Sequence, residues 1–217
     1  MMTKLALFDF DDTLSRGDSV VPFLLYAIRR GAAPKRQLFR AAWGFLTQLG
    51  RPGKISRAKE HTFSFIKGRS PDELDDLARD FFREVITPRL FEDAIAELWN
   101  LKSTGHTVVV VSASADVYMH LLPEFLPVDT VIATRCAVEN GVYTGHVQAN
   151  CRGEEKPRRI AAWLQANDLT LDAEASCGYG DSASDIPMLR LVGNPTLVNP
   201  GKKLAAALPN ARHVRWR

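Results

Sequence analysis

The stretch LALFDFDDTLSRGD, residues 5–18, places a short apolar run directly before three aspartates, Asp9, Asp11 and Asp12. The run is brief and ends at turn-forming residues, so residues 5–10 are predicted to form a buried strand. Carboxylates crowded at a strand end repel one another and raise each other's pKa unless a cation or hydrogen-bond donors neutralise them. The stretch therefore indicates either a metal site or a turn whose aspartates cap a helix.

The C-terminal part of the chain alternates between predicted strands and predicted helices. Such alternation is typical of an α/β fold in which helices cover both faces of a Rossmann-like parallel sheet. Asn140-Gly141 adds the strongest short signal for a β-hairpin. The predicted strands are residues 106–114, 130–135, 175–180, 195–199 and 212–216, and the predicted helices are residues 91–103, 115–125, 157–167, 184–191 and 202–208.

The segment between these two regions is predicted to be helical throughout. Ser70 followed by Pro71 is a favourable helix start, because serine caps the first turn and proline fits its first position. We therefore predict a helical cap domain, residues 18–88, inserted into an α/β core formed by residues 1–17 and 89–217.

The composition is that of a soluble globular protein, and 217 residues are enough for one large domain or a core with an insert. No apolar run approaches the roughly 20 residues that span a bilayer, and the N-terminus shows no signal-peptide pattern, so a cytoplasmic location is expected. The three cysteines and five histidines lack the spacing of zinc ligands.

Residues 19–59 carry nine lysines and arginines and no acidic residue. A one-sided basic segment indicates either a solvated basic face or a surface that meets phosphates, anionic lipid or nucleic acid. Nucleic acid is not expected, because Trp43, Phe45, Phe63 and Phe65 fall at helical spacing and are predicted to pack inside the cap. Peripheral contact with an anionic membrane stays open, as does the oligomeric state.

Chemically useful side chains follow several predicted strands. Ligands bind outside the carboxyl ends of strands in open α/β sheets, where Asp9, Ser112 and Asp181 are expected. Mg²⁺ prefers oxygen ligands, which Asp9 and Asp181 can supply, and a phosphate needs donors such as Ser112 and Lys156. Each residue alone could be a cap or a surface group. Their conjunction favours a site for a phosphate and a divalent cation.

The same residues resemble the four motifs of the haloacid dehalogenase superfamily, in the right order. The motifs are DFDDTL at residues 9–14, Ser112 at the end of an apolar strand, Lys156, and GDSASD at residues 180–185. The position of the helical insert resembles the phosphoserine-phosphatase-like branch, subfamily IB. An acid two residues after the first aspartate is typical of phosphatases and mutases in this superfamily, whereas dehalogenases and ion-pumping ATPases lack it.

The resemblance implies a role for each aspartate. Asp9 would attack phosphorus and carry the phosphoryl group as an aspartyl phosphate, while Asp11 would act as general acid and then as general base. Mg²⁺ would be held by Asp9, Asp181 and the backbone carbonyl of Asp11. Asp185 would orient a metal-bound water or Lys156.

The resemblance also implies the groups that touch the substrate. Ser112 and Lys156 would hold the phosphoryl oxygens, and Asp18, Ala113 and Ser184 would lie against the substrate. The implied substrate is a small phosphorylated metabolite, of the phosphoserine or histidinol phosphate kind. The alternatives are a lipid phosphate phosphatase of the phosphatidylglycerophosphate type at the membrane surface, a phosphotransferase or mutase, and a non-enzymatic phospho-acceptor domain.

Two departures from the phosphoserine phosphatase pattern affect the leaving group. Ala113 stands where those enzymes usually have glycine, and Asp18 stands where a glutamate is expected and is one methylene shorter. Comparison with that pattern also places Glu60, rather than Arg57, near the position where an arginine is expected. We therefore expect phosphoserine to be a poor substrate, because a charge of its serine head group that is buried without a partner is costly.

Overall fold

The computed structural model describes the backbone of residues 1–48 and 55–217, and the side chains of residues 1–43 and 59–217. Its main sheet has six parallel strands in the order β10-β9-β8-β2-β3-β4, which confirms the predicted α/β fold. These strands are β2 Leu5–Phe8, β3 Thr107–Ala115, β4 Thr130–Thr134, β8 Cys177–Gly180, β9 Asn194–Val198 and β10 Arg212–Val214.

Smaller sheets and helices complete the described chain. A short parallel pair joins β1 Met2–Thr3 to β7 Thr170–Leu171, and an antiparallel hairpin joins β5 Cys136–Glu139 to β6 Val142–Val147. The helices are α1 Val20–Arg29, α2 Arg36–Gln48, α3 Ile55–Phe63, α4 Pro71–Phe81, α5 Glu92–Ser103, α6 Asp116–Met119, α7 Glu155–Ala166, α8 Ile186–Leu189 and α9 Lys202–Ala207. Within the described residues, every helix is too short or too polar to cross a bilayer.

The central strand β2 is buried on both faces, as its uninterrupted apolar run predicts. Leu5 and Leu7 pack into the core on one face of the sheet, whereas Ala6 and Phe8 pack into the core on the other. All four side chains are fully buried. Because β2 lies between β3 and β8, the residue that follows it emerges near the middle of the sheet edge.

Helices α1 to α4 lie between β2 and β3 in the chain, in the segment that was predicted to be helical. Ser70 caps α4, with its Oγ accepting a hydrogen bond from the backbone N–H of Glu73 at 3.2 Å. Phe23 of α1 and Phe81 of α4 pack on Tyr118 of α6, with ring centroids 4.6 and 5.6 Å from that of Tyr118. These buried rings attach the inserted helices to the layer that carries the sheet.

The predicted hairpin is confirmed, and it contacts the inserted helices. Asn140 and Gly141 both have positive φ, 51° and 78°, which is the backbone of the tight hairpin turn that this dipeptide favours. The backbone of Tyr143 in β6 then bonds the segment before α4. Its N–H donates to the Arg69 carbonyl, and its carbonyl accepts from the Gly68 N–H, both at 2.8 Å.

Two predictions about helices were wrong. The predicted helix over residues 115–125 ends at Met119, because Pro123 has no N–H to donate four residues back and its ring would clash with the Met119 carbonyl. Trp43 was expected inside the helical segment but is 68% exposed, whereas Phe63 is buried as predicted. The side chain of Phe45 lies outside the described residues.

Removing the hydroxyl of Ser176 is expected to destabilise the fold without touching the site. Ser176 is buried, and its Oγ accepts the N–H of Leu5 at 2.8 Å, at the start of the central strand. Ser176→Ala leaves that buried N–H without a partner, so the free energy of unfolding should fall by about 1–3 kcal/mol. Urea unfolding measures this. Ser103→Ala, which removes an exposed hydroxyl at a helix end, is the matched control and should change it by less than about 0.5 kcal/mol.

Candidate active site

The carboxyl ends of β2 and β8 bring two aspartates to one crevice. Asp9 follows β2, and its backbone N–H donates to the carbonyl of Tyr179 in β8 at 3.0 Å. Asp181 follows β8 directly. The chain then turns sharply after Asp9, with the N–H groups of Leu14 and Ser15 both donating to the Phe10 carbonyl. This turn directs the motif at residues 9–14 back across the sheet edge.

Lys156 forms the central ion pair of the site. Its ammonium donates to Asp9 Oδ1 at 2.6 Å and to Asp185 Oδ1 at 2.7 Å, and its side chain is only 1% exposed. Burial alone would lower the pKa of this lysine, but the two carboxylates raise it above its ordinary value. Lys156 is therefore a fixed positive charge beside the carboxylate of Asp9.

Both carboxylate oxygens of Asp185 accept hydrogen bonds from neighbouring residues. Its Oδ1 accepts from Lys156, and its Oδ2 accepts from the N–H of Ser182 at 3.1 Å and from the Ser182 hydroxyl at 2.8 Å. The carboxylate lies directly over Gly180, where a Cβ would come within 2.6 Å of the Asp185 Cβ. Asp185 thus holds Lys156 in place, and only glycine at position 180 leaves room for it.

The acidic groups of the site outnumber the basic ones, which suits a divalent cation. Carboxylate oxygens of Asp9, Asp181 and Asp185 lie within 4.8 Å of one another, and the ammonium of Lys156 pairs with two of them, Asp9 and Asp185. Burial and the carboxylates of Asp185 and Asp12 raise the pKa of Asp181 to about 6. Since Asp185 is already satisfied, Asp9 and Asp181 are the side chains that fit the cation.

Asp9 shows the same excess of negative charge. Burial raises its pKa well above the ordinary value, Asp185 and Asp11 add to that shift, and Lys156 opposes it. A divalent cation at Asp9 and Asp181 would cancel the remaining repulsion and keep both carboxylates ionised. The third predicted ligand, the backbone carbonyl of Asp11, stays a prediction.

Asp11 lies in a different environment from Asp9, although only one residue separates them. Its Oδ2 accepts a hydrogen bond from Ser114 Oγ at 2.6 Å, whereas its Oδ1 is buried and has no hydrogen-bond partner among the described residues. Burial raises the pKa of Asp11 to about 6. A partly protonated carboxyl with one unused oxygen can donate a proton to a bound group or accept one from it.

Asp11 accepts from the first of three hydrogen-bonded hydroxyl groups. The sequence analysis did not find this chain of hydroxyls. Ser19 Oγ lies 2.9 Å from both Ser114 Oγ and Tyr118 Oη, and all three residues are buried. With Ser114 donating to Asp11, the chain is satisfied when Tyr118 donates to Ser19 and Ser19 to Ser114. Donors aligned in this way favour the ionised form of Asp11 and oppose the effect of burial.

The structure places the predicted phosphate and substrate residues Ser112 and Ala113 in β3, and Ser184 in the segment after β8. Ser112 is buried, and its Oγ accepts the backbone N–H of Ser114 at 3.0 Å, so its own proton can still be donated. The Ala113 carbonyl accepts from Lys59. Ser184 Oγ lies 2.7 Å from Ser182 Oγ, on the loop that carries Asp181. The roles of these residues toward a substrate stay predictions.

The inserted helices contribute a cation that the sequence analysis missed. Lys59 of α3 is 8% exposed and donates to the Ala113 carbonyl and to Asn150 Oδ1, the latter at 2.6 Å. Burial lowers its pKa to about 8, and the nearby carboxylates of Asp11 and Asp18 oppose that shift. The basic pattern of residues 19–59 placed Lys59 on an outer face, but the structure buries it beside the site.

Two other residues of the helical segment accept hydrogen bonds from the backbone. Glu60, which the sequence analysis placed near the expected arginine, accepts the N–H of Val147 in the hairpin with its carboxylate at 3.3 Å. Asp18 is exposed, and its Oδ1 accepts the N–H of Val21 at the start of α1 at 3.1 Å. Asp18 still acts on the site through its charge, because it raises the pKa of Asp11.

Residues 6–190 match the family of haloacid dehalogenase-like hydrolases, and the chain belongs to that family. A probable phosphatase of Mycobacterium tuberculosis is 29% identical over 92% of this chain and 70% of its own length. A phosphoserine phosphatase of the same organism is 27% identical over 99% of this chain and 70% of its own length. A histidinol-phosphatase of Neisseria meningitidis is 27% identical over 94% of this chain and 93% of its own length.

Solved structures share the fold. A protein of unknown function from Bordetella pertussis superposes with a TM-score of 0.85 at 26% identity, covering 99% of each chain. A phospho-aspartyl intermediate analogue of phosphoserine phosphatase superposes with a TM-score of 0.62 at 22% identity, covering 98% of this chain and 93% of its own. The expected phosphoserine-phosphatase-like fold is thereby confirmed.

Adding one methyl group at Gly180 is expected to disable the site. A Cβ there would lie 2.6 Å from the Asp185 Cβ, so Gly180→Ala must displace the carboxylate that holds Lys156. Hydrolysis of an aryl phosphate should fall by a factor on the order of 10² or more, since a small misplacement of catalytic groups is costly. Gly178→Ala on the same strand is the control, because the three atoms nearest to its added Cβ belong to Val192 and Leu189 and not to the site. Equal loss in both variants would contradict the argument.

Proposed function

We propose that this hydrolase is a Mg²⁺-dependent phosphatase that acts on a small phosphorylated metabolite through an aspartyl phosphate at Asp9. The observation that carries the proposal is the pairing of Asp9 with the buried ammonium of Lys156, with a second carboxyl, Asp11, held separately nearby. A carboxylate attacks an anionic phosphate only where positive charge cancels their repulsion. The relatives named as phosphatases support the same chemistry.

The reaction begins with attack on phosphorus by the carboxylate oxygen of Asp9 that does not accept from Lys156. The bond between phosphorus and the leaving oxygen breaks, and Asp11 in its protonated form donates to that oxygen. Lys156 and Ser112 hold the phosphoryl oxygens. Asp9 and Asp181 would hold Mg²⁺, which would supply further charge neutralisation. Asp11, now ionised, takes a proton from the water that cleaves the aspartyl phosphate, which releases inorganic phosphate and restores both carboxyl groups.

The leaving group of the substrate is expected to meet Lys59. Among the described residues, its ammonium donates to the Ala113 carbonyl and to Asn150 Oδ1, so at most one of its three N–H groups is available to the substrate, which is too few for two hydrogen bonds to a carboxylate. This is consistent with phosphoserine being a poor substrate. Leaving groups that present one anionic or carbonyl oxygen toward α3 suit this arrangement better.

A lipid phosphate is the second candidate substrate. It is favoured by the outer side of α2, where Phe39 and Trp43 are 80% and 68% exposed. A phosphatase panel that contains both metabolite phosphates and a dispersed lipid phosphate separates the two candidates by kcat/KM.

The three N-terminal aspartates should respond differently to replacement by asparagine. Asp9→Asn cannot form an acyl phosphate, so turnover should fall to background. Asp11→Asn should lose a factor on the order of 10² to 10⁴, because it removes the proton donor and acceptor. Asp12→Asn changes an exposed carboxylate and is the control, with turnover within about threefold of the wild type. Acid-quenched labelling that finds phosphate on Ser112 rather than Asp9 would overturn the assignment.

Hydrolysis of an aryl phosphate should require Mg²⁺. Chelation should abolish it, and added Mg²⁺ should restore it, since Asp9 and Asp181 carry uncompensated charge. Calcium should restore it poorly, because its larger and looser coordination misplaces the nucleophile. Full activity in excess chelator would rule out the metal requirement.

Lys59→Met should impair substrates that carry an oxygen acceptor on the leaving group. Comparing phenyl phosphate with its carboxylated analogue isolates this effect, because the two differ by one carboxylate. We expect kcat/KM for the analogue to fall about tenfold and that for phenyl phosphate to stay within about threefold, since one charged hydrogen bond is lost. Lys67→Met, at an exposed lysine of the same segment, is the control. An equal fall for both substrates would contradict this role.

A further inference from the structure

Among its described side chains, helix α2 carries two large aromatic residues on its outer side. Phe39 and Trp43 are 80% and 68% exposed, whereas the inward positions hold Gln37 and Ala41, which are 1% and 7% exposed. Gln37 is anchored there by hydrogen bonds from its Nε2 to the Thr62 carbonyl at 3.1 Å and to Ser64 Oγ at 2.8 Å. The orientation of this part of the helix is therefore fixed by specific contacts, and Phe39 and Trp43 face outward.

Two arginines share this outer side with the aromatic residues. Arg36 and Arg40 are exposed and lie one turn apart, next to Phe39 and Trp43 at helical spacing. Phe39, Arg40 and Trp43 line one shallow apolar cavity of about 500 Å³. We call Arg36, Phe39, Arg40 and Trp43 the α2 face.

We infer that the α2 face docks on an anionic lipid surface. Helices that lie in the membrane interface combine aromatic side chains, which enter the headgroup region, with arginine or lysine, which attracts anionic lipid. The charge around the face is complementary to such a surface, because residues 19–59 contain no acidic side chain. Exposed aromatic residues of this size on one helix otherwise have an unfavourable contact with water.

The same features disfavour other occupants. A symmetric contact with a second copy would bring Arg36 and Arg40 against their own counterparts, with no acid within the segment to compensate. A single-stranded nucleic acid is usually held in a basic groove with stacked bases, whereas the α2 face is the outside of one helix. The inference concerns where the protein binds, so it holds whether the substrate is a lipid or a water-soluble metabolite.

Sedimentation of the full chain with vesicles tests the inference. The vesicles are phosphatidylcholine alone, or phosphatidylcholine containing phosphatidylglycerol, at low and at raised ionic strength. We expect binding only to the anionic vesicles, and binding that weakens as salt is added. Two double variants, Phe39→Gln/Trp43→Gln and Arg36→Glu/Arg40→Glu, should each weaken partitioning about tenfold or more.

Matched variants elsewhere on the surface provide the controls. Trp99→Gln removes an aromatic residue that is 59% exposed on α5, and Lys202→Glu/Lys203→Glu reverses two exposed charges on α9. Both should bind vesicles within about twofold of the wild type. All four variants should hydrolyse an aryl phosphate at the wild-type rate without vesicles, which shows that they are folded.

Several results would overturn the inference. The wild-type chain could fail to bind anionic vesicles, the α2-face variants could bind them as well as the wild type, or the control variants could lose as much vesicle binding as the α2-face variants. A wild-type dimer that becomes a monomer in Phe39→Gln/Trp43→Gln would assign the face to a second copy instead. Binding to an oligonucleotide that the same variants lose, without vesicle binding, would assign it to nucleic acid. Each of these outcomes leaves the proposed phosphatase activity untouched.

Discussion

The buried ammonium of Lys156 is the constraint on which the site depends. A charge that is 1% exposed is tolerated only when oppositely charged groups surround it, and Asp9 and Asp185 both lie within 2.7 Å. Those three residues come from the end of β2, the start of α7 and the loop after β8. Losing one partner of such a buried pair typically costs about 3–5 kcal/mol, so these three charges also fix the packing of three segments.

The separation of Asp9 and Asp11 explains how two neighbouring carboxyl groups can act differently. Asp9 accepts a hydrogen bond from an ammonium, which opposes the effect of burial on its pKa. Asp11 accepts a hydrogen bond from a serine hydroxyl instead, and burial raises its pKa to about 6. The sharp turn after β2 produces this division, because it sends alternate side chains to different neighbours. Acid and base functions in enzymes commonly arise from such contrasts in environment.

The sequence predicts well those elements of the fold that depend on local residue pattern and on the order of strands and helices. The apolar run of β2, the strand–helix alternation and the Asn140-Gly141 turn are local features, and the parallel sheet follows from them. The positions of Asp9 and Asp181 follow in turn, because strand ends share one edge of the sheet. Pro123 could have corrected the helix predicted over residues 115–125, which was too long.

Other features depend on packing between segments far apart in the chain, so the sequence carries little signal for them. The hydroxyl chain joins Ser19, Ser114 and Tyr118 across about one hundred residues, and each serine alone resembles a helix cap. Lys59 looks like any lysine of a basic segment until α3 is placed over Ala113. Trp43 faces outward because Gln37 is held inward, which a periodicity of apolar residues does not reveal.

The hairpin β5–β6 has a mechanical consequence for how a substrate enters. Its Tyr143 exchanges two backbone hydrogen bonds with residues 68 and 69, so part of the inserted helical segment is joined to a ribbon that arises from the sheet side. A swing of the helices away from Asp9 must either stretch those bonds or carry the ribbon along. The ribbon would therefore limit the directions in which the inserted helices could move away from the sheet.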